Sequence, residues 1–275
     1  MTGEYSGKVV IITGSSSGIG QAAAVLFAKA GASVTIHGRS EEGLKKTIDM
    51  MLAAGGEKKR IHSVRGPVTD ENVLKALIDE TVKTFGRIDV LINNVGIANK
   101  EGFLTNTRAM ENFDYVIEVN LKSFLKSVFQ AHIIHLTELA IPHLEKTKGN
   151  IVNVSSIGSQ KTSPQVPFYC IAKAGLDHFA RNYAALLAPK GIRVNNLNPG
   201  GTSTAFISRH GVPQDMEKKM SEDYSQHIPL KRFAESKEMA EFLFFMASEK
   251  ASYLTGQIIN VDGGSLINSP AMKLD

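Results

Sequence analysis

A single cysteine in 275 residues excludes an internal disulfide and suits a reducing compartment. No apolar stretch approaches the ~20 residues of a membrane span, and the N-terminus lacks the basic-then-apolar pattern of a secretory signal. The C-terminal Met272-Lys-Leu-Asp275 is not a recognised targeting tripeptide, so the expected location is cytoplasmic. A large excess of one charge sign is also missing: 31 basic side chains stand against 27 acidic ones. The run Lys58-Lys-Arg60 has no aromatic neighbours and reads as a solvated loop, so no nucleic-acid partner is expected. There is no Pro- or Ser-rich linker, internal repeat or low-complexity tract, and residues 1–275 are expected to form a single domain.

What is present is an alternation. Short apolar runs near 8–12, 33–37, 61–65, 88–92, 150–154, 192–197 and 257–261 are separated by helical segments. That order predicts an α/β fold, a Rossmann-like doubly wound domain with a seven-stranded parallel sheet flanked by helices. In such folds ligands bind at the carboxyl ends of the strands.

The first run, Lys8-Val-Val-Ile-Ile12, leads into Thr13-Gly14-Ser15-Ser16-Ser17-Gly18-Ile19-Gly20 and then an Ala-rich helical stretch from Gln21 to Ala30. Strand, glycine-rich turn and helix N-terminus together suit a pyrophosphate, because backbone N–H groups point outward and the helix dipole favours anions. Gly14 permits the tight turn, Gly18 lets backbone approach phosphate, and Gly20 allows close helix–strand packing. The spacing is G-x-x-x-G-x-G, not the commoner G-x-G-x-x-G dinucleotide fingerprint.

A second constellation lies further on. Tyr169 and Lys173 are four residues apart and share a helix face, with Ser156 thirteen residues before the tyrosine. A free phenol titrates near pH ~10, and a neighbouring ammonium lowers that value toward neutrality. The pair is therefore a candidate acid–base device. Ser156 supplies a hydrogen bond to an oxygen that gains or loses charge.

With Asn93-Asn-Val-Gly96, Asn120, Asn198-Pro-Gly200 and Thr255-Gly-Gln…Val261-Asp-Gly-Gly264, these motifs resemble the short-chain dehydrogenase/reductase family, in its compact, often tetrameric branch. The match runs from about Lys8 to Gly264. The resemblance implies a nicotinamide cofactor held by Gly14, Ser16, Ser17, Gly18, Ile19 and Gly20 at its pyrophosphate. It implies further contacts from Arg39, Ser40 and Val68 at the adenosine, from Asn94 and Gly96 along the cleft, and from Pro199, Gly200, Thr202 and Thr204 at the nicotinamide. Ser156 would polarise a substrate carbonyl, Tyr169 would deliver the proton, Lys173 would bind the ribose and depress the Tyr169 pKa, and Asn120 would hold a relay water. A small-molecule carbonyl or alcohol substrate and a homotetramer or homodimer are implied as partners, and no metal.

Several positions refine or depart from that pattern. Gly38 stands where NAD-selecting enzymes place an acid, and Arg39 follows it, so NADP(H) is expected over NAD(H). Arg39 stacking on adenine is the competing reading. Pro67 replaces the family's acid at the adenine amino group. From Asn120 to Pro142 the chain has twenty-two residues, and Leu121-Lys-Ser123 recurs as Leu125-Lys-Ser127. That is about nine more than the family's usual interval, and nine residues advance a helix face by about 900°, half a turn out of phase. Either the helix carries a bulge or loop, or Asn120 is displaced. His132, His135 and Glu138 read as amphipathic-helix residues in preference to metal ligands. Phe113, Tyr115, Phe124 and Phe129 read as core or interface, and Cys170 as a packing residue in preference to a reactive thiol.

The segment 202–235 is the expected lid, with Phe206, Ile207, Met216, Met220 and Tyr224 on it, and Pro164, Val166, Pro167 and Phe168 as a facing wall. This favours a moderately hydrophobic ketone, aldehyde or secondary alcohol. The other open reading is a catalytically weak, NADP-binding sensor or oligomeric scaffold.

Overall fold

The four residues Val9–Ile12 are buried without exception, a pattern that only a strand covered on both faces satisfies. In the computed structural model, which describes residues 3–100, 102, 107–120, 132–204 and 214–267, this is the central strand β1. It is followed by α1 (Gly18–Lys29), β2 (Ser33–Gly38), α2 (Glu41–Ala53), β3 (Ile61–Arg65), α3 (Glu71–Phe85), β4 (Val90–Asn93) and α4 (Met110–Asn120). The second half runs α5 (His132–Thr147), β5 (Asn150–Val154), α6 (Pro167–Leu187), β6 (Arg193–Pro199), β7 (Thr202–Ser203), α7 (Gln214–Ser225), β8 (Ala234–Glu235), α8 (Ser236–Ala247) and β9 (Ile258–Val261).

Seven strands form one parallel sheet in the order β3-β2-β1-β4-β5-β6-β9. Val10 lies opposite Val34 on one side and Val90 on the other. Alternate residues of β1 feed opposite faces. Val10 and Ile12 pack with Phe27, Met51 and Leu243 of α1, α2 and α8, whereas Ile11 packs with Leu77, Leu144 and Ala180 of α3, α5 and α6. The expected Rossmann-like α/β architecture is therefore the observed one. The chain reverses its winding between β1 and β4, which opens a crevice at their carboxyl ends.

A buried polar row crosses the sheet at that end. Asn93 donates to Asn153 at 2.9 Å, Asn153 to Asn196 at 2.8 Å, and Asn196 to Asp177 of α6 at 2.9 Å. The three asparagines are register neighbours on β4, β5 and β6.

Two local expectations are corrected. Lys58–Arg60 is a 3-10 turn and not a plain loop, because Arg60 donates to the Gly31 carbonyl at 2.9 Å and ties β3 to the β2 entry. The lid segment contains a short parallel ribbon, Thr202 opposite Ala234, which its polar sequence does not announce.

Phe27 is fully buried with ring centroids of Tyr5 and Phe244 at 4.7 and 5.2 Å. Phe27→Ala is expected to lower unfolding free energy by about 3–5 kcal/mol in urea titration. A loss below ~1 kcal/mol would show that this aromatic cluster is not what clamps α1 to α8.

Candidate active site

The crevice is a cleft of about 490 Å³. One end is built by the turn after β1. Gly14 and Gly18 have φ of +65° and +58°, which side chains rarely adopt. A Cβ on Gly20 would stand 2.5 Å from Asn94 Nδ2 and 2.6 Å from the Gly14 carbonyl. Asn94 braces this turn from behind, donating to Thr13 O and Gly14 O at 3.0 Å each. Ser16, Ser17, Gly18 and Ile19 line the cleft at the first turn of α1, which holds no acidic residue. A cradle that one Cβ would fill, at the start of a 12-residue helix, fits a dinucleotide pyrophosphate.

At the adenosine end, a Cβ on Gly38 would lie 2.7 Å from Ser16 Oγ. An acid cannot stand there unless Ser16 moves. Arg39 is exposed on the lining, and Arg65 donates to its carbonyl at 3.3 Å while pairing with Glu41. Pro67 and Val68 line the cleft with Thr69, a residue the sequence reading missed. Ser40 is corrected: its side chain accepts from the Gly43 N–H at 3.0 Å as the N-cap of α2, away from the cleft lining.

His37 was also missed. Its Nδ1 accepts from the Gly14 N–H at 3.3 Å, and its Nε2 lies 3.0 Å from the Gly66 carbonyl. Burial lowers its pKa to about 4. The neutral ring must then carry its proton on Nε2, since a carbonyl only accepts. His37 thereby joins the glycine turn to the loop after β3.

Tyr169 and Lys173 project from the first turns of α6, with the ammonium 5.6 Å from the phenol ring centroid. Lys173 Nζ donates to the Val154 carbonyl at 2.8 Å, and Ser155 Oγ donates to the Lys173 carbonyl at 3.2 Å. The next residue, Ser156, caps the 3-10 turn Ile157–Ser159 by accepting from the Gly158 N–H at 3.0 Å. Burial pushes the Tyr169 pKa up to about 12, against a hydrogen bond from Ser156 that pulls it down. Burial pulls Lys173 down to about 8, against the field of Asp177. This corrects the expectation that Lys173 lowers the Tyr169 pKa: in this arrangement desolvation outweighs the neighbouring cation.

Asn120 is not displaced. A Cβ on Gly96 would meet Asn120 Oδ1 at 3.2 Å and Lys173 Nζ at 3.3 Å, so the three residues adjoin. The Asn120 amide accepts from Ile97 N at 3.0 Å and donates to Ile97 O at 2.9 Å and Val116 O at 2.8 Å. It is a clamp on the loop after β4, and both its amide hydrogens are taken. The extra residues after it, with Phe124 and Phe129, lie outside the described residues. Gly20 and Asn120, like Ser40, stand back from the cleft surface that the other predicted residues line.

The remaining end is mostly apolar: Ile157, Val166, Met220, Tyr224 and Phe233, with Lys161. Tyr115 lines it too and is not simply core, whereas Phe113 packs edge-on against Phe168 at 4.9 Å. Met216 points to solvent, and Phe206 and Ile207 lie outside the described residues. Pro199, Gly200, Thr202 and Thr204 form the rim between this end and the glycine turn; Gly18 faces the Thr204 methyl. His135 lies 3.7 Å from Glu71, and Glu138 accepts from Tyr183 OH at 2.5 Å. Among the described residues no group of three metal-ligating side chains assembles. Burial pushes the Cys170 thiol up, away from thiolate.

Comparison with known proteins agrees with this geometry. A family model described as Enoyl-(Acyl carrier protein) reductase matches residues 14–265. The chain is 36% identical over 262 residues to a 3-oxoacyl-(acyl-carrier-protein) reductase of Thermotoga maritima, covering 95% of this chain and 98% of the relative. A short-chain dehydrogenase/reductase of unknown function from Caenorhabditis elegans, solved with cofactor, superposes with a TM-score of 0.90 at 38% identity, covering 99% and 100% of the two chains. A 7α-hydroxysteroid dehydrogenase complexed with NADH and 7-oxo glycochenodeoxycholic acid gives 0.80 at 30% identity, covering 96% of each.

The opposed shifts are measurable. The Lys173 ammonium is expected to titrate with a midpoint of about 8 by NMR of labelled lysine, and Asp177→Asn to move that midpoint lower still. A midpoint in the ordinary lysine range would mean that Lys173 is solvated. Since the folded value lies below the ordinary 10.5, this group's contribution to stability rises as pH climbs from about 8 toward 10.5.

Proposed function

The chain belongs to the short-chain dehydrogenase/reductase family of oxidoreductases, and from that premise we propose that it interconverts a carbonyl and an alcohol on a moderately hydrophobic small molecule with NADP(H). The observation that carries this reading is the placement of Tyr169, its Ser156 hydrogen bond and Lys173 at one end of a cleft whose other end is the glycine cradle. When bound, the nicotinamide supplies or accepts the hydride.

The protein's own groups do the rest. Ser156 donates a hydrogen bond to the carbonyl oxygen, and the Tyr169 hydroxyl gives that oxygen its proton as the carbon is reduced. A phenol at about 12 holds its proton at neutrality, so the resting site is already an acid and suits reduction. Lys173, anchored on Val154, steadies the tyrosine's helix turn and offers its ammonium to a ribose. Asn120 fixes the Ile97 backbone beside it.

Gly14, Ser16, Ser17, Gly18 and Ile19 would hold the pyrophosphate, Val68 the adenine, Asn94 and Gly96 the cleft wall, and Pro199, Gly200, Thr202 and Thr204 the nicotinamide side. The hydroxysteroid dehydrogenase structure holds NADH, so family membership does not decide the nucleotide. Two residues here favour NADP(H). Gly38, pressed against Ser16, leaves no room for an acid, and Arg39 offers a guanidinium to a 2′-phosphate. We read one domain as carrying both sites, in a cytoplasmic homotetramer or homodimer. Exposed Phe242, Phe245 and Tyr253, on α8 and just beyond it, support the assembly.

NADPH-dependent reduction of apolar ketones should be measurable by absorbance, and Tyr169→Phe should lower kcat by about 10²–10⁴-fold. NADPH binding without any turnover would move the assignment to a nucleotide-binding sensor or scaffold. Separately, Arg39→Leu should raise the KM for NADPH about 10–100-fold and leave that for NADH nearly unchanged. An equal effect on both nucleotides would place Arg39 on the adenine face instead.

A further inference from the structure

The cleft lining carries three cations, Arg39, Lys161 and Lys173, and no aspartate or glutamate among its described residues. Two of these have places in the reaction proposed above. Lys161 does not.

Lys161 stands five residues after Ser156, and its backbone N–H closes the intervening turn by donating to the Ile157 carbonyl at 2.8 Å. Ser156 and Lys161 are therefore fixed to one another by a rigid turn. Its ammonium donates to the Ser265 carbonyl at 3.3 Å and lies 5.8 Å from the Tyr224 ring centroid. Among the described residues it joins no ion pair. Asp262, the carboxylate whose field reaches Tyr224, commits its oxygens to the backbone N–H groups of Gly264 at 2.9 Å and Leu266 at 2.8 Å. An ammonium has three donors, and one long bond to a neutral carbonyl uses one of them. A half-buried cation between apolar walls and without an anion is poorly compensated. A ligand can supply what the protein omits.

We propose that Lys161 receives a carboxylate on the substrate, so that the preferred substrates are keto acids, or the matching hydroxy acids, with an apolar body. One ammonium balances one negative charge, which favours a carboxylate over a phosphate dianion. Ile157, Val166, Met220 and Phe233 accept the apolar body, and the Ser156–Lys161 turn sets the span from reacting carbonyl to carboxylate. This rests on the oxidoreductase reading of the site and narrows its substrate class from uncharged ketones to amphipathic acids.

The test uses benzoylpropionate and benzoylbutyrate, each beside its methyl ester, with NADPH-loaded wild-type protein, Lys161→Met and Lys161→Arg. The acid should be preferred to its ester in kcat/KM by about tenfold or more, a preference that collapses to near parity in Lys161→Met and survives in Lys161→Arg. If Lys161 only latches the C-terminal turn to Tyr224, its loss changes acid and ester turnover by the same factor, and the proposal falls. It falls equally if the wild type does not distinguish acid from ester. Quenching of bound NADPH fluorescence gives an arm independent of turnover. Lys161-dependent binding of the acids without reduction keeps the carboxylate site and removes the reductase reading. Absence of Lys161-dependent binding, with or without turnover of the esters, overturns the carboxylate site alone.

Discussion

The Asp177 carboxylate is the point on which the site hangs. It accepts from Ser159 Oγ at 2.5 Å, Asn196 Nδ2 at 2.9 Å and Asn198 Nδ2 at 2.9 Å, all in the interior. Asn198 also donates to the Ser156 carbonyl at 3.0 Å. The loop of Ser156, the end of β6 and the helix bearing Tyr169 and Lys173 thus converge on one anion. Removing a partner from a buried, hydrogen-bonded charge costs about 3–5 kcal/mol, far more than a surface pair. The asparagine row carries the same constraint to Asn93, whose neighbour Asn94 braces the glycine turn. Both ends of the cleft therefore rest on one buried polar network.

Burial at the floor of the cleft sets the protonation of its two titrating groups in a shared sense. Desolvation disfavours phenolate and ammonium alike, so it drives the Tyr169 and Lys173 values toward each other from opposite directions. Lys173 retains its charge at neutrality because Asp177 lies one turn further along α6 and opposes the loss. The network that fixes the geometry also keeps the cation charged.

Much of this was legible in the sequence because it is periodic or local. A four-residue apolar run can only be a doubly covered strand, and a tyrosine and lysine four apart share a helix face whatever surrounds them. Other features depend on partners distant in the chain. His37 bonds a carbonyl 29 residues away, and nothing in Ile-His-Gly signals that. Ser40 looked like a nucleotide ligand because it follows Arg39, yet a serine two residues beyond a strand and at the start of a helix is first of all a cap. The Asn120 argument weighed helix phase across the extra residues. Three short hydrogen bonds to Ile97 and Val116, all preceding those residues, fix Asn120 independently of any phase beyond it. Lys161 escaped notice because its interest lies in the carboxylate that is not beside it.

The contact between Gly38 and Ser16 joins two segments that sequence motifs treat separately, the β2 end and the glycine turn. Any side chain at position 38 must displace Ser16, which itself lines the phosphate cradle. Nucleotide preference in this lineage is therefore epistatic. A mutational path toward an acid at position 38 is open only after position 16 has shrunk, and a path taken in the reverse order passes through an intermediate with a distorted cradle.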